Sequence, residues 1–194
     1  HLRTTNPRVF AAGDVIGSYA FTHTADAMAR IVLQNALFAP SKRVSALVVP
    51  WVTYTDPELA HVGPAASTLT GRTDLQVLTV PFADLDRAVT DDLTDGFARV
   101  WADRRGQIVA ATIVGAGAGE LIAELVLART HGLGLSAIGA TLHPYPTRSE
   151  VVRRLGDAWN RTRLTPAVAG WMCRWLSVWG LRRGSRWWFR RSTR

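Results

Sequence analysis

The decapeptide RVFAAGDVIG, residues 8–17, is an apolar run that stops at Gly13-Asp14 and presents one carboxylate at its end. Alone, a Gly-Asp pair is a turn signal, and its carboxylate gains chemical meaning only if other groups converge on it. A second candidate, GAGAGE at 115–120, has the glycine content of a phosphate-cradling loop. Its spacing opposes that use: the dinucleotide fingerprint needs glycine where Glu120 stands, and a carboxylate there would repel a pyrophosphate. A glycine-rich turn that lets backbones pack closely is the better account. The five histidines, His1, His23, His61, His131 and His143, form no HxxxH or other metal-ligand spacing, so the expectation is no metal site. Ser149 and His143 are neighbours without a nucleophile elbow, which leaves hydrolase chemistry without support. The one cysteine, Cys173, excludes an intramolecular disulfide, a CxxC redox pair and a cysteine-rich zinc site. Its tryptophan-rich surroundings read as those of a buried, inert thiol.

The elements that must position these groups fall into three regions. RVFAA reads as a short buried strand ended by Gly13-Asp14. From Thr24 to Phe38, Ala25, Met28, Ala29, Val32 and Ala36 recur at helical spacing, with Thr22 or Thr24 as the cap. APSKRVSA, 39–46, has linker composition. In the second region LVVPWVTYT and LQVLTVPF are rich in Val, Thr and aromatics, as strands are. FARVWADRRGQIVAATIVG gives two strands joined by the turn Asp103-Arg104-Arg105-Gly106. ELIAELVLARTHG is a helix with Leu121, Ile122, Leu125 and Ala128 on its apolar side and Gly132 closing it. LSAIGATL is a shorter helix, and the prolines of HPYPT break structure. RSEVVRRLGDAWNRTR then resumes as a helix with Thr147 or Ser149 near its cap. In the third region Val168, Trp171, Met172, Trp175, Leu176 and Trp179 form one apolar helical face, followed by LRRGSRWWFRRSTR.

With 194 residues, 47% of them apolar, the chain holds one ordinary domain with an appendage, or two small domains. His1 is followed by no charged n-region and apolar h-region, so the start reads as the cut end of something longer, not as a signal peptide. No run of eighteen apolar residues supports a spanning helix. The net charge of +8 is uneven. Residues 1–165 carry sixteen Lys and Arg against fifteen Asp and Glu, whereas 166–194 carry seven arginines and no acid. Such asymmetry marks the tail as an interaction segment on a nearly neutral body.

Taken together, TTNPRVFAAGDVIGSYAFTHTADAMARIVLQNALF resembles the end of the FAD domain in the pyridine nucleotide-disulfide oxidoreductase family. VPWVTYTDPELAHVG resembles the opening of that family's dimerisation domain, and LHPYPTRSEVVRR resembles its closing active-site motif, His-x-His-Pro-Thr-x-Ser-Glu in the lipoamide dehydrogenase branch. The longer string HPYPTRSEVVRRLGDAWNRTRLTP is closer to the mercuric reductase-like branch. The resemblance implies that Gly13 and Asp14 hold the flavin ribityl chain and that Phe21, Thr22 and His23 open a helix toward the flavin ring. There the partial positive charge of the helix end favours the electron-rich reduced flavin. It also implies catalytic roles at His143, Tyr145 and Glu150, on a segment that reaches across to the partner's flavin. Tyr145 stands where the family has its acid/base histidine, and a phenol is a poor base at neutral pH. Two readings follow: His143 takes the role with a shifted loop, or proton transfer is done differently. The family's GxGxxG for FAD, its redox CxxxxC and its NAD(P) domain are absent from the 194 residues, so the chain reads as a C-terminal fragment.

The predicted fold is α+β, an antiparallel sheet with flanking helices preceded by a strand-helix remnant of an FAD-binding α/β domain. Residues 1–39 are that remnant, 40–46 the linker, 47–163 the dimerisation domain and 164–194 a basic Trp/Arg-rich tail. The implied function is the C-terminal part of an FAD-dependent NAD(P)H oxidoreductase. It contributes part of the flavin site and a homodimer interface, is inactive alone, and its longer parent uses FAD and NAD(P)H. The alternative is a non-catalytic dimerising module with a membrane-surface tail. For residues 166–194, packing on the domain and docking on a membrane are both open readings. No RNA- or DNA-binding module surrounds the tail's arginines and aromatics, which places nucleic acid behind both. The expected location is the cytoplasm, with peripheral membrane contact through the tail.

Overall fold

The computed structural model describes residues 1–179. The stretch LRRGSRWWFRRSTR, residues 181–194 of the predicted basic tail, lies outside the described residues. Helix α1 (Thr22–Leu37) is followed by strands β1 (Pro50–Thr53) and β2 (Leu59–Val62), the short helix α2 (Ala66–Leu69) and β3 (Gln76–Pro81). Helix α3 (Asp86–Thr90), the hairpin β4 (Phe97–Ala102) and β5 (Ile108–Val114), α4 (Ala118–Thr130), α5 (Leu135–Ala140), α6 (Glu150–Thr162) and α7 (Pro166–Trp179) complete the order.

The five strands form one sheet in the order β1-β2-β5-β4-β3, with every pairing antiparallel. The architecture is therefore α+β, as the sequence predicts. Alternation along the strands puts Ala60, Val62, Leu78, Val80, Ala98, Val100, Ala111 and Ile113 on one face. Helix α4 covers that face over β2 and β5, and α6 covers it over β3 and β4, contributing Ile122, Leu125, Val151, Val152, Leu155 and Trp159. Leu69, Trp101 and Ala110 make a small second cluster. The hairpin turn falls where predicted: the Asp103 carboxylate accepts the amides of Arg105 (2.8 Å) and Gln107 (2.9 Å).

Four local expectations need correction. RVFAA is not a strand: only Phe10 pairs, in an isolated antiparallel bridge to Arg3. The Thr4–Asn6 turn folds residues 2–4 back onto 9–11, and an apolar run without a strand neighbour builds no ladder. The buried side of α1 is Thr24, Met28, Ile31 and Asn35, while Ala29 and Ala36 of the predicted stripe are exposed. Asn35 explains the rotation, because its amide donates to Lys42 O (2.9 Å) and His1 O (3.0 Å) and accepts from Lys42 N (3.0 Å). This pins the linker to the helix. Neither Thr22 nor Thr24 caps α1; Phe21 is the capping residue, and its carbonyl takes the amides of Thr24 and Ala25. Finally, Cys173 is exposed, because α7 stands away from the core and buries none of its described side chains.

Candidate flavin-edge cleft and motif loop

Two places gather the residues singled out by the sequence. The first lies where α1 begins. Gly13 is buried with φ +77°, its amide donating to Met28 Sδ (3.3 Å), while Asp14 is exposed. The Asp14 carboxylate makes no hydrogen bond or ion pair among the described residues. The Thr22 and His23 amides sit at the open end of α1 without an acceptor among the described residues, and no acid stands in that first turn. The Phe21 ring stacks on His23 (5.3 Å between centroids, 9° between planes). His23 Nε2 donates to the Pro50 carbonyl at 2.9 Å, so the proton sits on Nε2 and the ring ties α1 to β1. Between α1, β1 and α4 lies a cleft of about 630 Å³ lined by Phe21, Thr22, His23, Val52, Tyr54 and Ile122 among others.

The start of α4 is the opposite case. Glu58 Oε2 accepts the Gly119 amide at 3.0 Å, so a carboxylate of the protein already occupies that helix terminus. Gly115 of GAGAGE is there for room: a Cβ would come within 2.7 Å of Phe82 Cζ, and φ is +150°. The close approach is to the Phe82 side chain, and no phosphate cradle is formed.

The second place is the loop 142–150. Three carboxylates from two neighbouring helical segments hold it. His143 Nε2 stands 3.0 Å from both oxygens of Glu124 on α4, and its Nδ1 is 3.0 Å from Thr141 O. Both ring nitrogens therefore meet acceptors, and the imidazole side chain is 6% exposed. Tyr145, 69% exposed, donates its hydroxyl to Asp86 Oδ2 at 2.6 Å. The hydrogen bond and negative charge of Asp86 hold the phenol above its ordinary value, in the protonated form. Arg148 Nη2 reaches Asp91 Oδ2 at 3.0 Å, and Arg87 Nε reaches the same oxygen at 2.8 Å. These two arginines hold the Asp91 carboxyl below the usual carboxylate range. Thr147 Oγ1 and Ser149 Oγ are 2.8 Å apart. Ser149 is the N-cap residue of α6, as the sequence predicts, its carbonyl taking the Val152 amide while its side chain makes no capping bond.

Glu150 is buried, and its Oε1 accepts from Arg153 Nη2 and Arg154 Nε, each at 3.0 Å. Its Oε2 is buried without a partner among the described residues. His143, Tyr145 and Glu150 thus share one loop but not one hydrogen-bonded constellation. Glu124, Asp86, Asp91 and Glu58 are the partners that sequence reasoning missed; Glu124 lies in ELIAELVLARTHG and Glu58 in VPWVTYTDPELAHVG, segments read for fold and not for these contacts. His61 is a satisfied core residue. Its Nδ1 is 2.8 Å from Thr112 Oγ1, and Nε2 faces the carbonyls of Gly63 (3.2 Å) and Pro64 (3.1 Å). Among the described residues no group of three or more His, Cys, Asp or Glu could hold a metal ion.

The fold and loop define a class: an antiparallel sheet backed by two helices that displays a His-Pro-Tyr-Pro-Thr segment at its surface. Residues 49–155 match the family model for the dimerisation domain of the pyridine nucleotide-disulphide oxidoreductases, and the chain belongs to that family. It is 34% identical over 155 residues to a mercuric reductase from Streptomyces lividans, covering 79% of this chain and 33% of the relative. A dihydrolipoyl dehydrogenase from Pseudomonas aeruginosa is 30% identical over 154 residues, 78% of this chain and 33% of its own length. The Cu(II) complex of the HOCl-induced flavoprotein disulfide reductase RclA from Escherichia coli superposes with a TM-score of 0.74 at 26% identity, covering 81% of this chain and 36% of that one. LpdA from Mycobacterium tuberculosis shares the fold, with a TM-score of 0.76 at 24% identity. The chain spans about a third of the length of the curated relatives it matches.

Proposed function

We propose that this chain is the dimerising part of an FAD-dependent NAD(P)H oxidoreductase and supplies one edge of its flavin site. In this reading residues 1–39 belong to an FAD-binding domain, 40–46 link it to the dimerisation domain of 47–163, and 164–194 form the tail. The observation that carries the flavin assignment is the contrast between two helix termini. The start of α4 is filled by Glu58, whereas α1 leaves the Thr22 and His23 amides open beside the cleft. Asp14 adds a carboxylate free to accept hydroxyl donors. These groups fit the edge of a flavin: donors for its electron-rich ring and an acceptor for its polyol chain. When bound, FAD would supply the electron transfer from NAD(P)H to an acceptor.

Two exposed side chains on the motif loop support a homodimer. Leu142 is 95% exposed in the single chain and Tyr145 69%, and a symmetric partner would cover such a face isologously. Tyr145 then acts as a positioning group, because Asp86 keeps its phenol protonated. His143, enclosed between Glu124 and Thr141, fixes the loop. This arrangement supports the reading in which proton transfer is done differently over a shifted-loop His143 base. The whole protein's electrons and substrate belong to the same proposal.

The test joins this chain to the part of the Streptomyces lividans mercuric reductase that it does not span. The fusion is expected to purify yellow and dimeric and to oxidise NAD(P)H, with Asp14→Ala losing flavin. A folded, dimeric but colourless fusion overturns the flavin-edge assignment. The 194-residue chain alone, incubated with FAD and desalted, is expected to retain no stoichiometric flavin.

A further inference from the structure

Helix α7 begins after the Thr165 side chain, whose Oγ1 accepts the Val168 amide at 3.3 Å, and runs to Trp179. It lies beyond the family-matched residues 49–155, so the family's dimer domain does not account for it. Val168 is 42% exposed, Trp171 62%, Met172 41%, Trp175 51% and Leu176 50%. Their spacing of three and four residues places them on one side, with Arg174 and Ser177 on the other. A helix of this length is marginal in water on its own. One that shows two tryptophans, a methionine, a leucine and a valine to solvent gains most if that face is covered.

We infer that the α7 face docks in the plane of an anionic phospholipid surface. Charge selects this occupant. From residue 158 to 194 there is no Asp or Glu, and 166–194 carry seven arginines. A second copy of the segment would bring an equal and uncancelled positive charge against it, which works against pairing of two tails. An anionic leaflet complements the arginines and accepts the tryptophan-rich face at headgroup depth. The described span of α7, 14 residues or about 21 Å of helix, is shorter than a hydrocarbon core of about 30 Å. Among the described residues no helix is long and apolar enough to cross a membrane. This inference is independent of the flavin reading.

The test uses the full chain with large unilamellar vesicles of phosphatidylcholine alone and with three-tenths phosphatidylglycerol. Co-sedimentation should require phosphatidylglycerol and weaken as salt shortens the screening length from about 10 Å at 0.1 M to about 3 Å at 1 M. Lipids brominated on their acyl chains should quench tryptophan fluorescence. The double variant Trp171→Ala, Trp175→Ala should lower the partition constant by about tenfold or more and remove much of the quenching, since each large apolar side chain buried is worth about tenfold or more. Circular dichroism and urea unfolding of the variant check that the domain remains folded. Cys173, exposed and the one cysteine of the chain, gives a second readout through a polarity-sensitive thiol dye. Equal binding to neutral and anionic vesicles, or unchanged binding and no quenching in the double variant, overturns the inference. So does self-association of α7 that excludes lipid, or capture by a polynucleotide that competes the vesicles away without any quenching by lipid.

Discussion

Helices α5 and α6 touch backbone to backbone at Gly139 and Gly156, and Gly156→Ala tests how tightly that contact seats the motif. A Cβ at Gly156 would lie 2.6 Å from Gly139 Cα and 2.7 Å from Leu135 O, and closer still to Gly139 N. Ordinary contacts between carbon atoms need about 3.5–4.0 Å, so α6 must back away from α5 by about 1 Å. The obstacles are backbone atoms, which no side-chain rotation relieves. Leu135, Ile138, Leu155 and Trp159, all buried near the contact, would lose packing in the process. Overpacking of this kind costs about 1–3 kcal/mol, and rigid obstacles put this site at the upper end. Replacing a mid-helix glycine with alanine returns about 1 kcal/mol of helix propensity. The net expectation is a loss of about 2 kcal/mol. For a urea slope of about 2 kcal/mol per molar, the unfolding midpoint falls by about 1 M. Gly170→Ala on α7, where a Cβ meets nothing within 4 Å, is the control and should show no fall. A Gly156→Ala midpoint at or above that of the wild type would refute the reasoning and show that α6 can shift without cost.

Three further outcomes follow from the motif loop. Glu150→Ala removes two charge-assisted hydrogen bonds from a buried carboxylate and should cost about 1.5–3 kcal/mol by urea unfolding, with no loss counting against the role of Glu150 in seating α6. The Asp91 carboxyl is held low by Arg87 and Arg148, so its contribution is full above the ordinary carboxylate value and fades as pH falls through the lower folded value. The midpoint gap between wild type and Asp91→Asn should therefore be constant from pH 7 to about 5 and close in the more acidic range; a gap that widens on acidification would reverse the assignment. Ultraviolet titration should find Tyr145 ionising at a higher pH than free tyrosine, and Asp86→Asn should bring it down; an unchanged titration would deny the hydrogen bond.

Much of the fold was legible because hydrophobic period and turn chemistry carry it. The Asp103–Gly106 turn, the Gly132 ending of α4 and the span of α1 each announce themselves within a few residues. The face of α1 was misread because its buried side includes two polar residues, Thr24 and Asn35, and Asn35 is buried for its hydrogen bonds to the linker rather than for hydropathy. Strand β2 escaped notice as four residues in which the buried His61 interrupts the apolar pattern. The candidate site was legible as a motif and not as a set of contacts. Glu124 meets His143 across 19 positions, Arg148 meets Asp91 across 57 and Tyr145 meets Asp86 across 59. Such pairs leave no local spacing signal, and each depends on how α3 and α4 lie against the loop. Cys173 was misplaced for the reverse reason: its apolar neighbours form a helix face that no core covers.

The central claim is that this domain dimerises through the face that carries the motif loop, and sedimentation equilibrium of the chain at micromolar concentration in lipid-free buffer tests it most directly. Leu142 is 95% exposed in the single chain, so an aspartate there costs a monomer little and a covered interface a great deal. The account predicts twice the chain mass for the wild type and a shift toward the single-chain mass for Leu142→Asp, with the same pattern in a chain ending at Thr165. A wild-type protein that sediments at the mass of one chain, or a dimer that Leu142→Asp leaves intact, would contradict it.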